Sequence, residues 1–117
     1  MIIELNDTNY SEFIHTLDKA LFIDFYSPSC GPCQELMTQL PRLKNYFKEE
    51  AIIAKVNVST NPKLAQKYEI QSVPFCVSIS PKNKIIKDFE LGNGSMGRYI
   101  RMIKKAQGKG FFNRMFG

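Results

Sequence analysis

One stretch constrains the fold more than any other. The run Ala-Leu-Phe-Ile-Asp-Phe-Tyr (20–26) is apolar except for Asp24, breaks at Ser27-Pro28-Ser29, and gives way to Cys30-Gly31-Pro32-Cys33 and a helical pattern. An apolar run without alternation suits a strand covered on both faces, as in a parallel sheet between helix layers. Leu36, Met37, Leu40, Leu43 and Phe47 then trace one face of a long helix reaching about Glu49. The two thiols therefore sit at a strand-to-helix turn, the setting in which C-x-x-C reads as a redox pair. A structural disulfide and half a zinc site are the competing readings. Zinc would have to recruit Cys76 and His15, which have no paired spacing, so no metal is expected.

Asp24 is the odd residue of the buried run. An ionised carboxylate among apolar neighbours is costly unless paired, so its pKa should rise. Pro41 interrupts the long helix, because proline removes one backbone hydrogen bond and clashes with the preceding turn. The helix is expected to bend near Gln39-Leu40.

The rest of the chain alternates. Ile2-Ile3-Glu4-Leu5 is a short strand; Asn9 with Glu12 makes a capping-box start for a helix carrying Tyr10, Phe13, Ile14 and Leu17. His15 falls off that stripe and reads as a solvated histidine. A second β-branched strand runs from Ala51 to Val58 and carries Lys55. Asn61-Pro62 reads as an N-cap with proline at the first helical position, opening a helix through Leu64, Ala65 and Tyr68. A strand from Phe75 to Ser80 is followed by the turn Pro81-Lys82-Asn83-Lys84, so Lys84 to Leu91 should pair back as a hairpin. After Gly92-Asn93-Gly94, Ser95 caps a last helix with Met96, Tyr99, Ile100 and Ile103 inward. Gly108 and Gly110 end it. The order β-α-β-α-β-α-β-β-α is an α/β sandwich, parallel at first and closed by an antiparallel hairpin. We expect one domain, residues 1–107, and a tail, 108–117.

Length and composition agree with that reading. At 117 residues, 44% hydrophobic and 23% charged, the chain can bury a core without staples. Met1 runs directly into the first strand without a leader pattern, and the cysteine count, three, is odd. Both favour a cytoplasmic protein over a secreted disulfide scaffold. The net charge of +5 is concentrated: Arg98, Arg101, Lys104, Lys105, Lys109 and Arg114 follow Ser95 with no acidic residue among them. The body is nearly neutral, so a nucleic-acid surface spread over the fold is not expected. The tail joins Lys109 and Arg114 to Phe111, Phe112, Met115 and Phe116, a composition open to packing on the body, disorder or interfacial membrane contact.

Over nearly its full length the chain resembles thioredoxin. The residues that carry the likeness are Asp24-Phe25 ahead of Cys30-Gly31-Pro32-Cys33, Lys55-Val56-Asn57, Asn61-Pro62, Ala65 with Tyr68, Ile70 with Val73-Pro74, and Gly92. The resemblance implies a thioredoxin fold: a central mixed five-stranded sheet flanked by four helices in a three-layer α/β/α sandwich. It implies a protein-disulfide reductase that works by dithiol–disulfide exchange and serves cell redox homeostasis. No cofactor is bound, the working group being a redox-active Cys30–Cys33 disulfide.

In that scheme Cys30 is the nucleophile, its thiolate favoured at a helix N-terminus. Cys33 resolves the mixed disulfide, Asp24 accepts its proton, and Lys55 moderates Asp24. Gly31-Pro32 lets the backbone turn tightly while restricting it. Val73-Pro74 should be a cis peptide whose backbone pairs with an extended substrate segment, with Phe75 and Gly92 beside it. A structural Asp24–Lys55 pair and a trans surface turn at Pro74 are the alternatives. The implied partners are disulfide-bearing targets and an NADPH- or ferredoxin-linked thioredoxin reductase, with the protein a monomer.

The sequence departs from the family pattern at several places. Ser29 and Tyr26 stand where tryptophans are usual, Pro41 falls three residues late, and Phe75 replaces a usual threonine. These departures bear on the partner-facing surface and leave two further readings: a dedicated reductant of one partner, and a binding subunit with idle thiols. Cys76 is open to three roles, a small buried hydrophobe, a regulatory thiol, or a group that interferes with Cys30.

Overall fold

The computed structural model describes residues 1–109. Five strands form one mixed sheet: β1 (Ile3–Glu4), β2 (Ala20–Tyr26), β3 (Ala51–Asn57), β4 (Phe75–Ile79) and β5 (Ile86–Leu91). Their spatial order is β1-β3-β2-β4-β5, with β1, β3 and β2 parallel and β4 and β5 antiparallel to their neighbours. The unalternating run of β2 lies at the centre with all seven residues buried. Alternate residues feed two cores. Ala20 and Phe22 pack with Leu36, Leu43, Tyr99 and Ile103, from α2 (Gly31–Met37), α3 (Leu40–Phe47) and α5 (Met96–Ala106). Leu21, Ile23 and Phe25 pack on the other face with Tyr10 and Leu64, from α1 (Tyr10–His15) and α4 (Pro62–Lys67).

The long helix is split, as its proline requires. α2 ends at Met37, Thr38 and Gln39 form the joint, and Pro41 sits in the first turn of α3, where its missing N–H costs nothing. The hairpin strand begins at Ile86, two residues later than the sequence suggests. Lys84 takes a left-handed conformation (φ 59°) and its N–H donates to Ser80 O, so residues 81–84 form a wider turn.

Two caps differ from the sequence reading. Asn9 makes no cap bond to α1; its Oδ1 accepts from the Asn6 N–H (2.8 Å) while Asn6 Oδ1 accepts from Thr8 and Asn9. Asn61 holds the N-cap position of α4 but does not cap it. The Asp7 carboxylate does, accepting from Lys63 N (3.1 Å) and Leu64 N (2.9 Å). Asn61 instead accepts from Asp7 N and donates to Asn57 O, tying the loop after β1 to the loop after β3.

Ser95 caps α5 as expected, accepting from Arg98 N (3.1 Å). Met102 and Ala106 join Tyr99 and Ile103 as its buried residues, and Met96 and Ile100 lie at the margin. Gly108 closes the helix at φ 80°, a conformation glycine adopts without a Cβ penalty. Gly110 and the aromatic part of the tail lie outside the described residues.

Candidate active site

The dithiol turn stands at the C-terminal end of β2, the end at which parallel α/β sheets build their sites. Cys30 is the N-cap of α2, with extended backbone (φ −90°, ψ 115°) and its N–H donating to Ser27 O. It forms a disulfide with Cys33, Cα to Cα 5.2 Å, inside the usual range. Within this turn the Cys33 N–H points at Cys30 Sγ (3.2 Å). Cys30 is half-buried and Cys33 fully buried, so one sulfur faces an approaching partner and the other faces the core.

The Val73-Pro74 peptide is cis. Its loop lies against the dithiol, with Val73 O 3.7 Å from Cys30 Sγ. Pro74 is buried, and its carbonyl accepts from Gly92 N (2.8 Å). Gly92 has φ 80° and nothing near its absent Cβ, so conformation rather than space demands glycine there. Asn93 reaches α2, its Nδ2 donating to Glu35 Oε2 at 3.4 Å. The cis-proline loop therefore reaches Cys30 itself, and the 92–93 loop braces that loop and α2 from the side.

Gly31 needs a different account from the one the sequence suggests. It has no positive φ, and a Cβ built on it would meet nothing within 4 Å. The turn does not require a glycine; the position is simply open. Ser29 is also exposed, its hydroxyl 3.2 Å from Ser27 Oγ, which in turn lies 3.3 Å from Ser59 Oγ.

Beneath the turn, Asp24 is fully buried on the face that also carries Phe22 and the α2 residue Leu36. Its Oδ2 has no hydrogen-bond partner among the described residues, and Oδ1 receives only the long Cys76 S–H contact of 3.9 Å. Burial pushes its pKa from 3.8 up to about 7, opposed by the field of Lys55 and the Cys76 hydrogen bond. Lys55 lies directly across the strand pair from Asp24 but does not bond to it. Its Nζ pairs with Glu4 Oε1 (3.6 Å) and lies over the Tyr26 ring (5.8 Å to the centroid). Tyr26 in turn donates to Glu4 Oε2 at 3.1 Å. Lys55 therefore acts on Asp24 through space, held at a distance by Glu4, which sequence reasoning had not singled out.

Cys76 is a buried thiol on β4, paired in register with Asp24. Burial, with Asp24 and Glu90 nearby, raises its pKa well above the usual value, which keeps the S–H neutral and able to donate. Its closeness to Asp24 was also missed, although β4 following the cis-proline loop could have suggested it. Phe75 stacks outward against Phe89, its ring centroid 5.8 Å away. His15 is exposed at the end of α1. Among the described residues no group of three or more His, Cys, Asp or Glu side chains could hold a metal ion, and no helix is long and apolar enough to cross a membrane.

A vicinal Cys pair at a helix N-terminus, a cis-proline loop beside it and a buried carboxyl below define a thiol–disulfide oxidoreductase. The comparisons with known proteins name the class more closely. The thioredoxin family model matches residues 1–104, and the chain belongs to the thioredoxin family. It is 35% identical over 99 residues to a thioredoxin of Chlorobaculum thiosulfatiphilum, covering 74% of this chain and 92% of that one. It is 30% identical over 112 residues to a thioredoxin of Buchnera aphidicola subsp. Baizongia pistaciae, covering 96% and 93%. The fold is similar to the crystal structure of chloroplastic thioredoxin z, with TM-score 0.81, 21% identity, and 92% of this chain and 95% of that one covered. Protein-disulfide reduction is the activity these findings support, with disulfide-bearing targets and a reductase as partners in general, and no cofactor beyond the redox-active disulfide.

Proposed function

We propose that Cys30 is the attacking sulfur and Cys33 the resolving one in a general reductant of protein disulfides. In the reduced protein the Cys30 thiolate attacks one sulfur of a target disulfide. A mixed disulfide forms, and the first target thiolate leaves. Cys33 gives its proton to Asp24 and attacks Cys30 Sγ; the second target sulfur leaves and the Cys30–Cys33 bond forms. Two electrons pass to the target, and a reductase returns two to the Cys30–Cys33 disulfide, restoring the dithiol.

The observation that carries this assignment is the unequal burial of the two sulfurs, with the half-buried one 3.7 Å from Val73 O. Asp24 suits the proton step because an acceptor works best with a pKa near the operating pH, and burial brings it to about 7. Lys55 tempers Asp24 from behind Glu4. Val73 offers its backbone to an extended target segment, Pro74 and Gly92 fix that loop, and open Gly31 lets the target approach. Pro32, exposed in the first turn of α2, stiffens the turn, and Phe75 and Ser29 bear on target choice.

We place residues 1–107 as the working domain and 108–117 as an appendage. The protein is a cytoplasmic monomer, reduced by an NADPH- or ferredoxin-linked thioredoxin reductase. Insulin reduction driven by dithiothreitol tests the central role. Cys30→Ser abolishes it; activity persisting in that variant would sink the assignment.

A further inference from the structure

We propose that the outer face of β5 is a docking strip for the disulfide-bearing target, one that selects an extended segment with apolar and acidic residues. The proposal rests on the reductase reading above. β5 is the edge strand of the sheet, and its two faces differ. On one face Asp88 and Glu90 are clamped to α5 by Arg98, with contacts of 2.7 and 3.0 Å to Asp88 and 2.8 Å to Glu90. On the other, register places Leu91 opposite Phe75 and Phe89 opposite Val77, and a register shift between Ser78 and Ile79 breaks the alternation so that Ile86 pairs with Ile79. Val77 and Ile79 are buried there, yet Ile86, Phe89 and Leu91 are 48%, 59% and 58% exposed. Soluble chains avoid a row of large apolar side chains along an edge strand unless something covers it.

The row is preorganised. Phe25 is fully buried, Phe75 lies 6.5 Å from it, and Phe89 stacks on Phe75 at 5.8 Å with the planes 29° apart. The exposed Phe89 ring is thus held in place before any partner arrives, which lowers the entropy lost on binding.

Two observations choose the occupant. The strip is continuous with the reaction centre: Leu91 leads into Gly92, Gly92 N–H bonds to Pro74 O, and Val73 O lies beside Cys30 Sγ. A protein lying on the strip presents its disulfide to Cys30. At the far end the strip opens into a cleft of about 670 Å³ lined by Ile14, Tyr68, Ile79 and Ile86, where the charged lining residues are two lysines, Lys67 and Lys84, and one carboxylate, Glu69. A second copy with its strip running parallel would bring these lysines towards their own equivalents, whereas acidic residues beside the target's apolar ones would meet a cleft with more cations than carboxylates. From Leu91 to Ile86 the strand extends about 17 Å, at roughly 3.3 Å per residue. Small disulfides cannot reach along it, and protein segments can.

Peptides test this directly. A cysteine blocked as its thionitrobenzoate disulfide is placed in a peptide with about eight alternating Leu and Glu residues on each side, long enough to span the strip. A second peptide carries Ser at every Leu and Glu, and free cysteine blocked in the same way is the small control. The reduced protein should release thionitrobenzoate from the Leu/Glu peptide at least about tenfold faster than from the Ser peptide at low concentration, the scale of one good anchor. Ile86→Ser with Phe89→Ser should abolish that advantage and leave the rate on the small control unchanged, with melting temperature as the check on folding. Equal rates on the two peptides with the unsubstituted protein would overturn the proposal, as would an advantage surviving in the double variant. Sedimentation showing a dimer that the double variant dissolves would overturn it in favour of self-association. Failure to reduce even the small control would instead overturn the reductase reading beneath it.

Discussion

Replacing Asp24 with Asn should stabilise the oxidised protein in a strongly pH-dependent way. In the native state Asp24 is wholly buried, with Oδ2 unpartnered among the described residues and its pKa raised from 3.8 to about 7. A raised carboxyl pKa means that the folded protein holds its proton more tightly than the unfolded chain does. The stabilisation that goes with the protonated form is complete below about pH 3.8 and is lost as the pH climbs to about 7, after which the loss is constant. Each pKa unit is worth about 1.4 kcal/mol, so the loss comes to about 4 kcal/mol. Asn is nearly isosteric with protonated Asp and also presents a donor where Oδ2 stands, so the two should be close to equally stable near pH 4. At pH 8 the variant should be the more stable by about 4 kcal/mol, several tenths of the stability of a typical domain. Guanidinium unfolding of both oxidised proteins at half-unit intervals from pH 4 to 8.5 measures the difference. A gap independent of pH, or a variant less stable at pH 8, would refute the placement of an unpaired carboxyl beneath the dithiol.

Three further outcomes follow from named contacts. Cys76→Val removes the S–H donor to Asp24 Oδ1 and should raise the Asp24 pKa further, which a carboxyl carbon-13 titration would register; an unchanged midpoint would show that the 3.9 Å contact carries no weight. Asp7→Ala strips the cap from α4 and should cost about 1–2 kcal/mol in urea unfolding, whereas Asn9→Ala, which caps nothing, should cost less. Gly92→Ala forces a Cβ into φ 80° and should cost about 1 kcal/mol despite the open space around it, read from the same unfolding curves.

Much of the site was legible because its signals are local. Cys30-Gly31-Pro32-Cys33 at a strand-to-helix junction, a carboxylate inside an apolar run, and Val73-Pro74 each announce themselves within a few residues. What stayed hidden depends on partners far along the chain. Nothing near Asn61-Pro62 indicates that the cap of α4 arrives from Asp7, 56 residues before Lys63. Lys55 could be placed near Asp24 from the strand order, but its ion pair with Glu4 is made by β1, whose register a two-residue strand does not reveal. The face of β5 was the least readable. Ile86, Phe89 and Leu91 look like core residues, and only the sheet order, with β5 at the edge, leaves them exposed.

The central claim is that Cys30 alone opens the target disulfide and that Cys33 alone releases it. Intact mass spectrometry of the reduced Cys33→Ser protein, incubated with an oxidised protein target and followed by peptide mapping, tests it most directly. The account predicts one stable mixed disulfide per chain, mapped to Cys30, with Cys76 unmodified in its buried position. An adduct on Cys76, or no adduct while target reduction continues, would contradict it.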